Sequence, residues 1–200
     1  RPGIEFNPQS QWFYQKHLSG GGPMMDWGVY DLSFHLGILQ ESPKLKSVKS
    51  FLINGLDQYT INHKYFNVEE HGIVFMEFHN DLVYYWERSS NAHNNTVNET
   101  RIYGTQGGLK FDYLSWGSNE ITYYYYDENN VPKEDILYVD MQYHNIIPGP
   151  KSIADDSYAL SNHFINCLLH KEQTVLPLSQ SIEYLDIIFK ATDTIIYPEA

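Results

Sequence analysis

Gly20-Gly21-Gly22-Pro23-Met24-Met25-Asp26-Trp27-Gly28-Val29-Tyr30-Asp31 is the stretch that decides the fold, because a glycine cluster opens there directly into a helical pattern. Pro23 suits the first turn of a helix, where a backbone N–H is not needed. Apolar residues then recur at helical spacing, which predicts a helix over about 23–40. The glycines lack the G-x-G-x-x-G spacing and no predicted strand leads into them, so we expect no dinucleotide phosphate site in this chain.

One face of this helix carries two polar side chains suited to a ligand. At about 100° per residue, Asp26 and Tyr30 lie about 40° apart, so both can reach one ligand. The polar stripe is narrow and has apolar neighbours on both flanks, unlike an ordinary solvated face. From spacing alone, the alternative is a purely structural role for both residues. Asp26 would then cap the helix or form an ion pair, and Tyr30 would pack its ring with its hydroxyl in a hydrogen bond.

After this helix, the predicted strands come first along the chain and two further predicted helices follow them. Polar breaks at 79–81 and 106–108 predict hairpins, so neighbouring strands should pair antiparallel. This order predicts an α+β fold class, an open, mostly antiparallel β-sheet with helices packed on one face. The predicted strands are 46–55, 72–78, 82–90, 99–104, 108–114, 119–126 and 136–143, and two further helices are predicted at about 155–170 and 179–196.

Composition narrows the classes of partner. The 200 residues, 42% of them hydrophobic, suit one compact domain. Acidic residues outnumber Lys and Arg by 25 to 13, which argues against a nucleic-acid partner. There is no apolar run of about 20 residues and no signal-peptide core, so we expect no membrane partner and a cytoplasmic location, with a periplasmic or secreted one left open. The histidines are scattered, so no metal is expected, and Cys167 is interpreted as a core residue.

Three segments together resemble one known family. The stretch from Gly20 to Tyr30 resembles the G-G-G-x-L-x-D-x-G-x-H/Y segment of the Gfo/Idh/MocA oxidoreductases. Residues 101–109 resemble that family's sheet motif with G-T-x-G, and His163-Phe164-Ile165 with the following helix resembles its C-terminal pair. The resemblance covers nearly the whole chain, in the expected order and at the expected separations.

The resemblance implies a role for the chain and for particular residues. Residues 1–200 would be a single C-terminal domain for substrate binding and oligomerisation, with the NAD(P)-binding Rossmann domain and its E-K-P lysine missing from this chain. Asp26 and Tyr30 match the family's aspartate and histidine-or-tyrosine and are the implied catalytic residues. The tyrosine matches the glucose-fructose oxidoreductase branch rather than inositol dehydrogenases, which leaves open whether Tyr30 transfers a proton or only donates a hydrogen bond. Trp12 and Lys16 are implied substrate contacts, the alternative being a packed tryptophan and a surface lysine.

The implied activity is hydride transfer between NAD or NADP and a sugar, polyol or related hydroxyl compound. The isolated chain is expected to be inactive and to bind no nucleotide. Two alternatives stay open: a non-catalytic sugar-sensing regulator or binding protein of the same fold, and an independent interaction module.

Self-association is expected from the strands themselves. In 83–86 and 121–126 both alternating sets of side chains are largely apolar or aromatic. A sheet with one face in water should alternate polar and apolar residues instead. The three predicted helices can cover only one face, so we expect a dimer or higher oligomer to form through the other face of the sheet.

Overall fold

The computed structural model describes residues 11–39, 43–54, 67–90, 98–112, 120–138 and 153–193. The helices are a 3₁₀ turn at Gln11–Tyr14, α1 (Lys16–Ser19), α2 (Pro23–Gly37), α3 (Ile153–Leu168) and α4 (Leu178–Asp193). The strands are β1 (Leu45–Ile53), β2 (His71–Phe78), β3 (Val83–Ser89), β4 (Thr100–Tyr103), β5 (Gly107–Phe111), β6 (Glu120–Tyr126) and β7 (Pro132–Tyr138). The α+β fold class is confirmed.

Most predicted elements appear within a few residues of their expected bounds, and every pair of neighbouring strands within a sheet is antiparallel. Strand β7 is the exception, since it begins at Pro132 rather than at residue 136. Its register explains the difference, because Pro132 pairs with Tyr126 at the first position of an edge strand, where a missing N–H is tolerated. Residues 139–143 of the predicted strand lie outside the described residues.

Contacts divide the chain into two compact units, and Arg1–Asn94 with Thr174–Ala200 form the first. Its sheet has the order β1-β2-β3, with Val74 opposite Trp86 across β2 and β3. Helices α2 and α4 pack against each other and against this sheet. Burial of one helical stripe and one sheet face provides the main hydrophobic stabilisation. The buried apolar cluster is Met24, Leu32, Leu36, Val74, Met76, Phe78, Trp86, Tyr184, Ile187, Ile188 and Ala191.

Glycine lets helix α2 lie close to its neighbours. A Cβ at Gly28 would stand 2.8 Å from Trp86 Cη2 and 2.9 Å from Ile188 Cδ1, inside normal contact distance. At the start of the segment, Gly20 has a φ of 84° and ends α1 in the left-handed conformation that glycine adopts without strain. Two of the motif glycines are therefore explained by packing and by backbone conformation.

We expect Gly28→Ala to lower the free energy of unfolding by about 1–3 kcal/mol, the usual cost of overpacking a filled core. Gly37→Ala on the same helix is the matched control, because a Cβ there meets nothing within 4 Å. That substitution should be neutral or stabilising by up to about 1 kcal/mol, since alanine has the higher helix propensity. Urea denaturation of both variants measures the difference, and equal stabilities would contradict the close packing of α2.

The second unit, Asn95–Gln173, contains the sheet β4-β5-β6-β7 and helix α3. Tyr123 and Tyr125 stack on one face of β6 with ring centroids 5.0 Å apart, and the Tyr125 hydroxyl donates to Asp135 Oδ2 at 2.9 Å. Tyr126 is 69% exposed on the alternate face. The tyrosine run 123–126 is therefore divided between the two faces of β6. Assignment of the whole chain to a single domain stays a prediction.

No helix among the described residues is long and apolar enough to cross a membrane.

Candidate functional site

The N-terminus of α2 is fixed by a carboxylate from a distant part of the chain. The Met24 N–H donates to Glu69 Oε1 at 3.1 Å, and Glu69 is only 8% exposed. A Cβ at Gly22 would overlap the backbone carbonyl oxygen of Glu69. A negative charge at this position stabilises the first turn, which has unpaired N–H groups. The third glycine of the cluster is thus required by the close approach of residue 69.

This arrangement does not fit a nucleotide pyrophosphate. A helix N-terminus binds phosphate through free N–H groups and positive potential. At α2, an N–H group of the first turn already bonds the Glu69 carboxylate, whose charge would repel phosphate. The glycine cluster therefore has a structural role, and we assign no cofactor-binding residue to the described part of the chain.

A cavity of about 340 Å³ opens beside this anchor. Its walls combine aromatic rings with hydroxyl and carboxylate groups, a mixture typical of sites that bind small polar organic molecules. The lining residues come from the 3₁₀ turn, the start of α2, the segment before β2 and the end of β3, and all belong to the first unit: Phe13, Tyr14, Gly22, Pro23, Asp26, Trp27, Val68, Glu69, Ser89 and Ser90.

Asp26, a predicted catalytic residue, lies in the wall of this cavity. It is in the first turn of α2, where its N–H bonds the Gly22 carbonyl oxygen at 3.0 Å. Partial burial raises the pKa of the Asp26 carboxyl, because desolvation disfavours the charged form. The side chain is thus held where it can meet a ligand, at some cost to its ionised state.

Tyr30 lies one turn further along α2 and is 61% exposed. Its ring centroid is 5.9 Å from that of Trp27, which does line the cavity. Tyr30 itself is not among the lining residues. The two predicted catalytic side chains therefore share a helix face, but only Asp26 contributes to the cavity wall.

The predicted substrate contacts Trp12 and Lys16 lie near the cavity in sequence rather than in its wall. Trp12 is 46% exposed and packs its ring against Phe13 with centroids 5.0 Å apart. Lys16 begins α1, and its backbone N–H donates to Asn67 Oδ1 at 2.7 Å. Neither side chain is a lining residue, whereas Phe13 and Tyr14 between them are.

A buried ion pair beside the cavity was not predicted from the sequence. Asp31 is fully buried, and it accepts hydrogen bonds from Trp86 Nε1 at 2.7 Å and from Arg88 Nε at 2.5 Å. Arg88 Nη2 bonds the second carboxylate oxygen, so the contact is bidentate. The guanidinium carbon also lies 5.2 Å from the centre of the Trp27 ring. The sequence contains a signal for this ion pair. Asp31 lies about 140° from Asp26 around the helix and therefore falls outside the polar stripe.

His35 is not among the residues that line the cavity. Its Nδ1 lies 2.6 Å from the Tyr84 hydroxyl, and burial lowers the pKa of the imidazole. Among the described residues no group of three or more His, Cys, Asp or Glu side chains could hold a metal ion.

Comparison with known proteins gives a family match. The family model described as "GFO/IDH/MocA C-terminal domain" matches residues 2–110, which is more than half of the chain. No curated protein matches the sequence.

Solved structures share the fold. An NAD binding oxidoreductase from Klebsiella pneumoniae aligns over 94% of this chain and 52% of its own, with 16% identity and a TM-score of 0.73. The apo form of levoglucosan dehydrogenase aligns over 97% and 53%, with 15% identity and a TM-score of 0.73, and that enzyme has also been solved with NADH and levoglucosan. Aldose-aldose oxidoreductase from Caulobacter crescentus, complexed with glycerol, aligns over 94% and 50%, with 17% identity and a TM-score of 0.65. This chain spans about half the length of these structures.

Proposed function

Since this chain belongs to the GFO/IDH/MocA family as a C-terminal domain, we propose that it forms the substrate side of an oxidoreductase acting on a sugar, polyol or related hydroxyl compound. The reaction is hydride transfer to or from NAD or NADP, which is held outside the described part of this chain. The proposal draws on the solved relatives, whose names include sugar dehydrogenases and an NADH complex.

The observation that carries the proposal is the position of Asp26. Packing and backbone geometry explain Gly20, Gly22 and Gly28 of the motif. They do not explain Asp26, a partly desolvated carboxylate in the wall of a cavity lined by aromatic rings and serines. Groups that function in binding or catalysis are often held in positions that stability alone would not select.

Asp26 and Tyr30 have complementary roles in this proposal. Oxidation of a hydroxyl requires a proton to leave the oxygen as hydride leaves the carbon, so a positioned acceptor is needed. Tyr30 contacts the reacting hydroxyl, as proton acceptor or as hydrogen-bond donor, and Asp26 accepts a hydrogen bond from a substrate hydroxyl. Trp12 and Lys16 are the further substrate contacts in this proposal.

The test is turnover by the protein that contains this chain. Purified protein is assayed with NAD and with NADP against levoglucosan, D-glucose, myo-inositol and glycerol, following reduced nicotinamide by absorbance. Oxidation of at least one hydroxyl compound supports the proposal. Sugar binding without turnover would favour a sugar-sensing regulator, and neither binding nor turnover would overturn the proposal.

We expect the isolated chain to bind no NAD(H) or NADP(H), because the Glu69 carboxylate bonds an N–H at the start of α2, the helix that follows the glycine cluster. Calorimetric titration of the 200-residue chain with each nucleotide measures this. Binding with micromolar affinity would contradict the expectation.

Self-association through a sheet face is also part of the proposal. In the first unit, α2 and α4 cover one face of the sheet. The alternate side chains of its strands are exposed, including Phe51 at 52%, Phe75 at 47% and Tyr85 at 50%. Phe75 and Tyr85 already contact each other, with centroids 5.1 Å apart. Exposed apolar patches of this kind usually mark an interface, and a symmetric dimer buries such a patch on both copies.

Light scattering at micromolar concentration should therefore report a dimer or a higher oligomer. Phe75→Lys should shift the protein toward monomer, because it places a charge at the centre of this patch. Leu18→Lys is the control, since Leu18 is 56% exposed on α1, outside the sheet. A monomeric parent protein would contradict the expectation.

A further inference from the structure

The ring of Trp27 lines the cavity and also lies next to a largely buried cation. It lines the cavity next to Asp26 and is 39% exposed. Its other neighbours are the Tyr30 ring, at 5.9 Å, and the Arg88 guanidinium carbon, at 5.2 Å from the ring centre. This distance is within the range of a cation–π interaction, which is strongest for tryptophan.

Arg88 is unusually restrained for a long side chain. Its guanidinium group donates hydrogen bonds to both carboxylate oxygens of Asp31, and the side chain is only 14% exposed. Asp31 is in turn held by Trp86 Nε1 at 2.7 Å, and Trp86 belongs to the buried core cluster. A planar guanidinium with fixed hydrogen bonds presents a fixed flat surface to a ring.

The helix geometry connects this network to the cavity. Trp27 and Asp31 are four residues apart on α2, so their side chains lie one above the other on one face. Arg88 comes from β3 and reaches both of them. The Arg88 guanidinium therefore contacts both Asp31, which holds it in place, and the Trp27 ring, which lines the cavity.

We propose that Arg88, held by Asp31, is a positioning residue that fixes the ring of Trp27 as the surface on which the apolar face of a sugar ring packs. This inference rests on the proposed function and goes beyond it, because it assigns substrate affinity to a wall residue outside the catalytic pair. A fixed aromatic surface binds more tightly than a mobile one, since less side-chain freedom is lost on binding.

The test is a double-mutant cycle in the protein that contains this chain, using whichever of the four hydroxyl compounds gives the fastest turnover. Arg88→Lys keeps a positive charge next to Asp31 but removes the planar guanidinium group. Trp27→Leu removes the aromatic ring. We expect each single variant to raise KM about 10-fold with kcat within about 3-fold of the parent value, the pattern of lost ground-state binding. In the Trp27→Leu background, Arg88→Lys should have no further effect on KM, because Arg88 acts through the ring.

Phe34→Leu is the control for loss of an aromatic ring from α2. Phe34 is 36% exposed and is not a lining residue, so its KM should equal that of the parent. Additive effects of Arg88→Lys and Trp27→Leu on KM would overturn the inference, as would an unchanged KM in either single variant.

A second readout needs no turnover. Acrylamide quenching of tryptophan fluorescence, compared between each protein and its Trp27→Leu counterpart, isolates the signal of Trp27 among the four tryptophans. Arg88→Lys should make Trp27 more accessible to acrylamide, whereas Phe34→Leu should not. Unchanged quenching of Trp27 in Arg88→Lys would overturn the inference. A parent protein without activity would instead overturn the proposed function and with it the role of Trp27 in sugar binding, and the quenching result would then decide only whether Arg88 fixes the Trp27 ring.

Discussion

Asp26→Asn and Tyr30→Phe should each lower kcat/KM by about 10²-fold or more, the scale of a positioned acid, base or charge partner. Asp26→Asn keeps the shape of the side chain but removes the negative charge that would bind a substrate hydroxyl. Tyr30→Phe keeps the ring next to Trp27 and removes only the hydroxyl. Steady-state kinetics of the protein that contains this chain measure both effects.

Stability measurements separate this outcome from simple misfolding. Burial raises the pKa of Asp26, so the folded state disfavours its charged form, and a neutral asparagine should not lower the free energy of unfolding. Ser33→Ala is the matched control, because Ser33 lies further along α2 and its hydroxyl bonds the Val29 carbonyl oxygen at 2.5 Å within the helix. Kinetics near those of the parent for both Asp26→Asn and Tyr30→Phe would assign this helix face to structure.

Arg88→Met should lower the free energy of unfolding by about 3–5 kcal/mol, because it leaves a buried carboxylate without its cation. Asp31 is fully buried, and Arg88 supplies a bidentate contact to it. Urea denaturation measures the loss. Stability equal to that of the parent would show that Asp31 has another means of compensation.

Lys46→Met is the matched control, the same kind of change on the same sheet. Lys46 bonds Glu77 at 2.6 Å, but the two side chains are 50% and 45% exposed. Exposed ion pairs contribute little, because water screens the attraction and ordering of the side chains opposes it. No measurable change is expected for this variant.

Local sequence pattern predicted the parts of the fold that depend on neighbours in the chain. The start of α2 at Pro23 follows from the proline, and the hairpin at 79–81 follows from its polar break. The sequence predicts strand β7 to begin at residue 136, whereas pairing of 132–135 with β6 extends it back to Pro132 as an edge strand. Pairing between strands, rather than local propensity, decided that boundary.

The candidate site was predicted only where it lies on α2. Asp26 and Tyr30 stand on the helix that carries the motif, and their assignment as catalytic residues stays a prediction. Glu69 and Arg88 were missed because they reach α2 across 45 and 57 residues of sequence. Nothing in a helical pattern predicts which distant carboxylate will cap it or which arginine will neutralise its buried acid.

The three attachments of α2 have a consequence for how such a site can change during evolution. Glu69 anchors the first turn, Gly28 fits against Trp86, and Arg88 bonds Asp31. A helix attached at these three points cannot slide or rotate without breaking one of them, so substitutions in the cavity wall that spare all three leave Asp26 where it is. Phe13, Ser89 and Ser90 line the cavity but lie outside this helix, so a mutant library confined to those three positions would vary the cavity wall while leaving the position of Asp26 unchanged.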